Sequence, residues 1–340
     1  MAVAGATGAP STKPRSVRAG KQKKQATAGR MGSPVRRNLP VYLAISPFYV
    51  LFAVFGVFPV VFSLYLSFQD WDGIGTMRFV GWQQYDWLLH DTVFWKSILN
   101  TFEIWFLSTV PMLLLALVIA FLLNSQVRYS MAYRVAYFIP NVTSMVAMTI
   151  VFGSVFAQAG LGNSLLKAVG LGEFGWMTSA WGVKVSLAIM IIWRWTGYNA
   201  LIFLAGLQAI PSELYEAARV DGASSLQTLF RVILPQLRPV VLFTVITSSI
   251  NGLQIFTESQ VLFQASNGYS TGGPGQEGMT IVLYLWQKAF GDHQFGYGAA
   301  IGWALFVIVA VFSAINWRLV ARFGEDRPAT SRRWRINRAR

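Results

Sequence analysis

The amino-acid sequence predicts an all-α integral membrane protein with six transmembrane helices and both termini in the cytoplasm. Of its 340 residues, 54% are hydrophobic and 12% are charged, whereas soluble domains carry about 25% charged residues. Six apolar stretches are long enough to cross a bilayer, and basic residues are concentrated in segments that would share one side. The chain has no cysteine and only two histidines, so we expect no disulfide, no metal site and no cofactor.

Six continuous apolar stretches underlie the prediction of six helices. A hydrocarbon core about 30 Å thick requires about 20 apolar residues in helical conformation. The stretches are residues 41–68, 101–123, 135–156, 181–207, 240–263 and 297–320. Because they are continuously apolar rather than alternating, helices are favoured over a β-barrel. We therefore expect residues 41–322 to form one transmembrane domain.

The distribution of Lys and Arg predicts the orientation of the chain. Residues 1–40 hold nine basic residues and no acidic residue, and residues 318–340 hold eight basic residues. The two connections predicted on the same side add five, whereas the segments predicted on the other side hold five in total. Basic residues accumulate on the cytoplasmic side of membrane proteins. We therefore predict cytoplasmic basic tails at 1–40, which we expect to be disordered, and at 323–340, and no nucleic-acid partner.

The connections predicted on the outer side differ in composition. The first is acidic, with Asp70, Asp72, Asp86 and Asp91. The last contains five glycines between positions 268 and 278. Such a composition favours a flexible turn over a packed region.

The predicted cytoplasmic connection between spans four and five, within residues 209–238, has signals for two helices. Pro211 and Ser212 favour a helix start, and Asp221-Gly222 favours a break. A second helix is predicted from Ser224, which has capping-box spacing to Gln227. One apolar stripe follows, and we expect Pro235 to end this helix; the stripe is Leu226, Leu229, Phe230 and Ile233. On physical grounds alone, such a helix could lie on lipid or dock into a groove of another protein.

The residues of this connection resemble the EAA loop of ABC importer permeases. Glu216-Ala217-Ala218 is followed after three residues by Gly222, and after nine more by Val232-x-Leu234-Pro235. Position 232 is usually Ile in that loop. The resemblance extends over most of residues 41–322 and is strongest to the carbohydrate-type branch, similar to the first permease of maltose or multiple-sugar importers.

This resemblance implies a function and a set of partners. The loop would form coupling helices seated in a dimer of ABC ATPase subunits, with a second permease and an extracytoplasmic solute-binding protein completing the importer in the membrane of a prokaryote. ATP hydrolysis would reside on the partner chain, because this sequence has no phosphate-binding Gly-x-x-x-x-Gly-Lys-[Ser/Thr] loop. The ATPase-coupling residues would be Glu216, Ala217, Ala218, Gly222, Leu234 and Pro235.

Polar residues in spans four and five predict a solute path. Polar groups inside a membrane tend to face protein or a water-filled cavity, and aromatic rings beside amides and hydroxyls suit a sugar. The predicted path residues are Trp193, Gly197, Tyr198, Asn199, Ala200, Ser249, Asn251, Gln254 and Glu258. Among these, the resemblance places Trp193, Gly197, Ala200, Ser249 and Gln254 on the contact face. Trp193 could equally pack against its neighbours, and Asn251 and Gln254 could bond between helices.

Arg194 lies within span four and needs a partner. We expect a structural pair with Glu258 or Glu103, and contact with an anionic solute is the alternative. The alternative function is an ion-coupled secondary transporter in which these three residues relay a proton or an ion. It would leave the connection at 211–235 without a role. Within the ABC class, a sugar or oligosaccharide is the expected solute, and glycerol phosphate or another polar solute is the alternative. No spacing in the sequence indicates a catalytic site.

Overall fold

The computed structural model describes residues 39–124, 130–264 and 270–324. Most of the predicted tails, and Arg128 and Gly268, lie outside these ranges. The chain divides into two compact units, with the boundary between Phe58 and Pro59.

The first unit is helical throughout its described part. It consists of α1 (Leu39–Phe52) and a π-helical turn (Ala53–Val57). Its large apolar side chains are exposed, as at Phe48 and Phe55. A helix that is apolar on all sides is typical of a membrane span, and these exposed faces are those that lipid would cover.

The second unit contains most of the helices. They are α2 (Phe58–Leu66, which begins at the boundary), α3 (Gln83–His90), α4 (Thr92–Asn124), α5 (Ser130–Val142), α6 (Met145–Val155), α7 (Leu161–Ala168), α8 (Ala180–Gln208), α9 (Ser212–Val220), α10 (Ser225–Thr228), α11 (Leu234–Gln236), α12 (Arg238–Gly252), α13 (Thr257–Leu262), α14 (Ile281–Trp286) and α15 (Phe295–Gly324). Further π-helical turns lie at Leu229–Ile233 and Gln287–Gly291. Two short antiparallel strands, β1 (Gln69–Asp70) and β2 (Arg78–Phe79), pair Gln69 with Phe79.

Four of the predicted spans are confirmed as long apolar helices. In the described part of the chain, helices long and apolar enough to cross a membrane are Val41–Leu66, Thr92–Asn124, Ala180–Gln208 and Phe295–Arg318. Two bent helix pairs also qualify if each counts as one span: Met131–Val142 with Met145–Val155, and Ser225–Gln236 with Arg238–Gly252.

The predicted third and fifth spans are not uninterrupted helices. The third bends by 93° after Val142, where Ser144 is extended (φ −54°, ψ 128°) and starts α6. Pro140 weakens the preceding turn because it has no N–H group to donate. The fifth ends as a helix at Gly252, and residues 253–256 have no regular structure before α13 begins.

The expected flexible glycine turn on the outer side is also corrected. Gly272, Gly273 and Gly275 do have positive φ angles of 72°, 77° and 58°, which suit glycine. However, the following residues are packed: Met279, Ile281, Leu283 and Tyr284 are buried with Tyr297 in one apolar cluster. Composition alone missed α14 because it is only six residues long.

Asp91 connects the start of α4 to this cluster. Its carboxylate accepts hydrogen bonds from the hydroxyls of Tyr284 and Tyr297 and from the backbone amides of Val93 and Phe94. Burial favours the neutral acid, but these donors together hold the pKa of Asp91 below its ordinary value. The same contacts raise the pKa of Tyr284, first through burial and then through the hydrogen bond to Asp91.

The bent third span packs against α8 through a glycine. A Cβ atom at Gly197 would overlap the carbonyl oxygen of Tyr137 on α5, so the two backbones meet directly. Small residues allow this approach between helices in membranes, where van der Waals packing drives association.

Gly197→Ala therefore tests this contact. The added methyl group has no room, and we expect a loss of about 2–3 kcal/mol, as in overpacked cores, seen as a lower midpoint of thermal unfolding of the detergent-solubilised protein. Gly172→Ala is the matched control, since a Cβ atom there meets nothing within 4 Å. Equal midpoints for the two variants would contradict the contact.

Candidate functional site

A cavity of about 480 Å³ lies between α4, α8, α12 and the irregular segment that follows α12. This volume is within the range of about 300–1,000 Å³ that is usual for small-molecule sites. Its walls are formed by Thr109, Met112, Met145, Ile191, Trp195, Tyr198, Asn199, Phe243, Thr247, Ser248, Asn251, Gly252, Gln254, Ile255, Phe256, Thr257 and Glu258.

Amides on two facing helices form much of the polar surface of the cavity. Asn199 on α8 donates to the Trp195 carbonyl at 3.0 Å and accepts from the Ser248 hydroxyl at 3.4 Å. Asn251 on α12 donates to the Thr247 carbonyl at 2.9 Å. Asn199 is thus oriented by both helices and Asn251 by its own helix, while part of their hydrogen-bonding capacity remains for a solute.

The irregular segment after α12 and the first turn of α13 together supply five consecutive lining residues, 254–258. The helix ends where Gly252 passes Trp105, since a Cβ atom there would lie 2.5 Å from the indole Cδ1 atom. The freed carbonyl of Ile255 accepts a hydrogen bond from the Thr280 hydroxyl at 2.6 Å. Glu258, in the first turn of α13, is 4% exposed and borders the cavity. A non-helical backbone at membrane depth is tolerated where it lines such a cavity.

The structure brings together Tyr198, Asn199, Asn251, Gln254 and Glu258, five of the predicted path residues, in this cavity. The other four do not border it. Trp193 packs edge-on against Phe152, Gly197 faces α5, Ala200 is 1% exposed in a separate core, and Ser249 bonds the carbonyl of Val245.

Helical periodicity explains which residues face the cavity. On α8, positions 191, 195, 198 and 199 lie on one face, whereas 193, 197 and 200 point elsewhere. The residues predicted from the sequence therefore did not include Trp195 and Ile191, which this spacing would have selected. Other lining residues, such as Thr109 and Met112 on α4, come from a different helix, and no local signal in the sequence identifies them.

The predicted coupling connection is a helix, a glycine turn and a second helix. Helix α9 ends before Gly222, which has a positive φ of 71°. The capping box is confirmed. The backbone N–H of Gln227 donates to the Ser224 hydroxyl at 3.3 Å, and the backbone N–H of Ser224 donates to the side-chain carbonyl of Gln227 at 2.9 Å. Local caps thus determine where the second helix begins.

One expectation about this second helix is wrong. The apolar stripe divides, because Leu229 and Ile233 are buried whereas Leu226 and Phe230 are exposed. The π-helical turn Leu229–Ile233 contains three of the four stripe residues, and it changes the angular spacing of their side chains around the helix axis. The expected end at Pro235 is confirmed to within one residue: the helical stretch Ser225–Gln236 ends just after Pro235, and the chain then bends by 74° into α12.

The base of the connection is anchored to the transmembrane helices. Leu229, Ile233 and Leu237 pack in one core cluster with Ala116 and Ala120 of α4 and with Phe203, Leu204 and Leu207 of α8. The Tyr215 hydroxyl donates to the Leu207 carbonyl at 3.3 Å and accepts from the Asn124 amide at 3.4 Å. Burial raises the pKa of Tyr215, which further favours the protonated hydroxyl that donates in this contact.

The residues predicted to couple to an ATPase differ in exposure. Glu216, Ala217 and Gly222 are exposed, Leu234 and Pro235 are half-buried, and Ala218 is buried against the rest of the chain. Apolar side chains nearby are also exposed: Val220 is 88% exposed and Phe230 is 61% exposed. This end of the molecule therefore presents both a turn and apolar groups.

A family model described as a binding-protein-dependent transport system inner membrane component matches residues 94–324. The chain belongs to this family. It is a transport permease, a multi-pass protein of a prokaryotic membrane.

Curated relatives of this permease are named for sugar transport. It is 38% identical to the lactose transport system permease LacF of Rhizobium radiobacter, over 81% of this chain and 92% of the relative. It is 35% identical to the arabinooligosaccharide permease AraP of Bacillus subtilis, over 83% and 88%. It is 32% identical to the multiple sugar-binding permease MsmF of Streptococcus mutans, over 81% and 92%.

The fold of the permease is found in a solved transporter. It matches a chain of a bacterial ABC transporter that imports the acidic polysaccharide alginate, with a TM-score of 0.74 and 20% identity, over 86% of this chain and 98% of the other. A second structure of an alginate transporter, in complex with its pentasaccharide-bound periplasmic protein, matches with a TM-score of 0.73. At this identity the likeness concerns the fold.

The expected ion pair of Arg194 is wrong. In the described part of the permease, Arg194 makes no ion pair with Glu258 or Glu103. Its Nη1 donates to the Thr143 carbonyl at 2.8 Å and to the Pro140 carbonyl at 3.5 Å. The bend between α5 and α6 frees these carbonyls, and a cation at a helix C-terminus is favoured by the helix dipole. Glu103 pairs with Lys184 instead.

A double-mutant cycle of Arg194→Gln and Glu258→Gln tests this correction. Because the two side chains form no direct ion pair and interact only through the longer-range effect of the Arg194 charge on Glu258, we expect a coupling energy of about 1 kcal/mol or less in thermal or denaturant unfolding. Arg194→Gln alone should destabilise the protein, since it leaves two carbonyls without a donor. A coupling energy near the 3–5 kcal/mol that is typical for breaking a buried pair would show that Arg194 and Glu258 do form an ion pair.

Proposed function

We propose that this permease forms half of the translocation path of an ATP-driven importer for a sugar or oligosaccharide. The observation that carries this proposal is the cavity, in which Asn199, Asn251 and Gln254 lie beside Trp195 and Tyr198. Amides can bond sugar hydroxyls while aromatic rings pack against the C–H faces of a sugar. The names of the relatives, which specify lactose, arabinooligosaccharides and multiple sugars, support this solute class.

An uncharged solute fits this wall better than glycerol phosphate. A phosphate group normally binds Arg, Lys or a cluster of backbone amides. In the described residues that border the cavity, no Lys or Arg is present, and the Nη1 group of Arg194 donates to backbone carbonyls at the bend of the third span. The same contacts oppose the ion-relay alternative, because Arg194 and Glu103 have separate partners.

In the proposed topology each bent helix pair counts as one span, which gives six spans with both termini in the cytoplasm. The excess of basic residues at 1–40 and 318–340 supports this orientation. A binding protein would then deliver the solute from the outer side, and a second permease would complete the path.

ATP hydrolysis would take place on a dimer of separate ATPase subunits, and Glu216 and Gly222 would be the principal coupling positions. The connection that carries them packs at its base on α4 and α8, two helices that also border the cavity. Movement of the connection would therefore reach the cavity through packed side chains rather than through a flexible linker.

Gly222→Asp tests the coupling proposal. Its positive φ disfavours Asp and its charge would face the ATPase, so we expect ATP-dependent uptake in the assembled importer to fall at least tenfold. Gly170→Asp is a matched control, because Gly170 has a φ of 79° and, like Gly222, has no atom within 4 Å of an added Cβ. Uptake that falls equally in both variants would show that backbone strain, and not coupling, is responsible.

Gln254→Ala and Asn199→Ala test the path. Each removes an amide from the cavity, and a lost hydrogen bond costs about 0.5–1.5 kcal/mol. We therefore expect each variant to raise the KM for sugar uptake by about three- to tenfold in the assembled importer. Gln158→Ala, which removes an exposed amide bonded to Glu173, should leave KM unchanged. Wild-type KM values in both cavity variants would place the path elsewhere.

A further inference from the structure

A cluster of four charged side chains joins α4, α8 and the outer turn formed by residues 270–280. Lys184 on α8 forms ion pairs with Glu103 on α4 and, at 2.8 Å, with Glu277 in the turn. Lys96 on α4 binds the other oxygen of Glu277 at 2.9 Å. The Lys184 side chain is 9% exposed. A charge buried to this extent requires partners, and within the cluster two lysines balance two glutamates.

Glu277 remains charged in this cluster at neutral pH. Partial burial favours its neutral form, but the ammonium groups of Lys184 and Lys96 hold the pKa of Glu277 below its ordinary value of 4.5. The attraction between the turn and the two helices therefore persists over the physiological pH range.

Polar contacts reinforce the attachment of the turn to α4. Lys96 donates to the Gly275 carbonyl at 2.6 Å. Asn100 donates to the carbonyls of Gln276 and Met279 at 2.8 Å and 3.2 Å. Gln276 has a positive φ of 61°, which is uncommon for a residue with a side chain. The surrounding contacts thus hold the turn in a conformation that its sequence does not favour by itself.

On its other side the turn is bonded to the wall of the cavity. The Thr280 hydroxyl donates to the Ile255 carbonyl at 2.6 Å. The Ser259 hydroxyl donates to the Gly278 carbonyl, and the Ser270 hydroxyl donates to the Ser259 carbonyl at 3.1 Å. Residues 253–256 have no regular secondary structure. The Thr280 bond attaches one of them, Ile255, to the turn, and the two serine bonds attach the turn to α13, which follows directly.

We infer that Lys184 is a positioning residue of the solute path. It holds the turn 270–280 against α4 and α8, and the turn in its place holds the wall segment 254–258. The assignment rests on the proposed function, which gives the cavity its role. Without Lys184, Glu103 and Glu277 would face each other with Lys96 as the remaining cation of the cluster, and their repulsion would displace the turn together with the wall.

Cysteine labelling tests this inference directly, because the sequence contains no cysteine. Ile255→Cys reports on the wall, where Ile255 is 5% exposed, and Ala120→Cys reports on a distant core position that is 0% exposed. The measurement is the alkylation rate with N-ethylmaleimide in the full-length permease assembled with its transport partners. Lys184→Met should raise the rate at position 255 at least tenfold and change the rate at position 120 less than twofold.

Three further variants complete the experiment. Lys184→Arg retains the positive charge and should keep the rate at position 255 within threefold of the parent. Glu277→Gln removes the negative charge of the turn from the cluster but leaves Lys184 paired with Glu103. It should raise the alkylation rate at position 255 at least fivefold. It also covers the case in which Lys184→Met does not assemble. Lys167→Met removes a more exposed ion pair with Glu173 and should have no effect.

The inference is overturned if Glu277→Gln and every assembled Lys184→Met sample leave the rate at position 255 unchanged. It is also overturned if the rates at positions 255 and 120 rise together, since that would show a general loosening of the fold. Labelling requires no solute, so these outcomes are independent of whether sugar is transported. An importer that takes up sugar but shows unchanged labelling would refute the role of Lys184 and leave the proposed function intact.

Discussion

The architecture of this permease depends on hydrogen-bond partners for backbone groups at the points where helices are interrupted inside an apolar environment. Each unsatisfied carbonyl or amide at membrane depth costs several kcal/mol. At the bend after Val142, Arg194 donates to the freed carbonyls. Beyond Gly252, the Thr280 hydroxyl donates to the carbonyl of Ile255. Both interruptions are therefore stabilised by side-chain donors from other helices or turns.

These two interruptions also account for the location of the cavity. Residues on both sides of the second break border it, and Met145, just beyond the first bend, contributes to the same wall. Two unbroken helices, α4 and α8, provide the frame, and both also pack against the connection at 209–238. A frame with two interrupted helices beside it offers a physical route from this connection to the cavity.

Much of this could be predicted from the sequence. Continuous apolar runs identified four straight spans, and the caps at Ser224 and the turn at Gly222 placed the helices of the connection correctly. Polar residues in apolar surroundings pointed to Asn199, Asn251 and Gln254, which the structure brings into one cavity. In each case the signal lies within one stretch of chain, so local propensity and periodicity are sufficient.

Other features could not be predicted, because their partners are distant in sequence. A backbone carbonyl has no signature in the sequence, so Arg194 seemed to require an acidic partner. Lys184 lies 81 residues from Glu103 along the chain, and neither residue indicates the other. The break after Gly252 falls within a stretch apolar enough to suggest a continuous helix, and the close approach of Gly252 to Trp105 at the helix end involves a residue distant in sequence.

Solute accumulation in proteoliposomes tests the central claim most directly. The vesicles would contain the permease with its partner permease and ATPase, with ATP inside the ATPase-facing compartment and a sugar-loaded binding protein on the opposite side. The account predicts sugar accumulation that requires ATP and the binding protein and persists when proton and sodium gradients are absent. Uptake driven by an ion gradient through the permease without any ATPase subunit would contradict it.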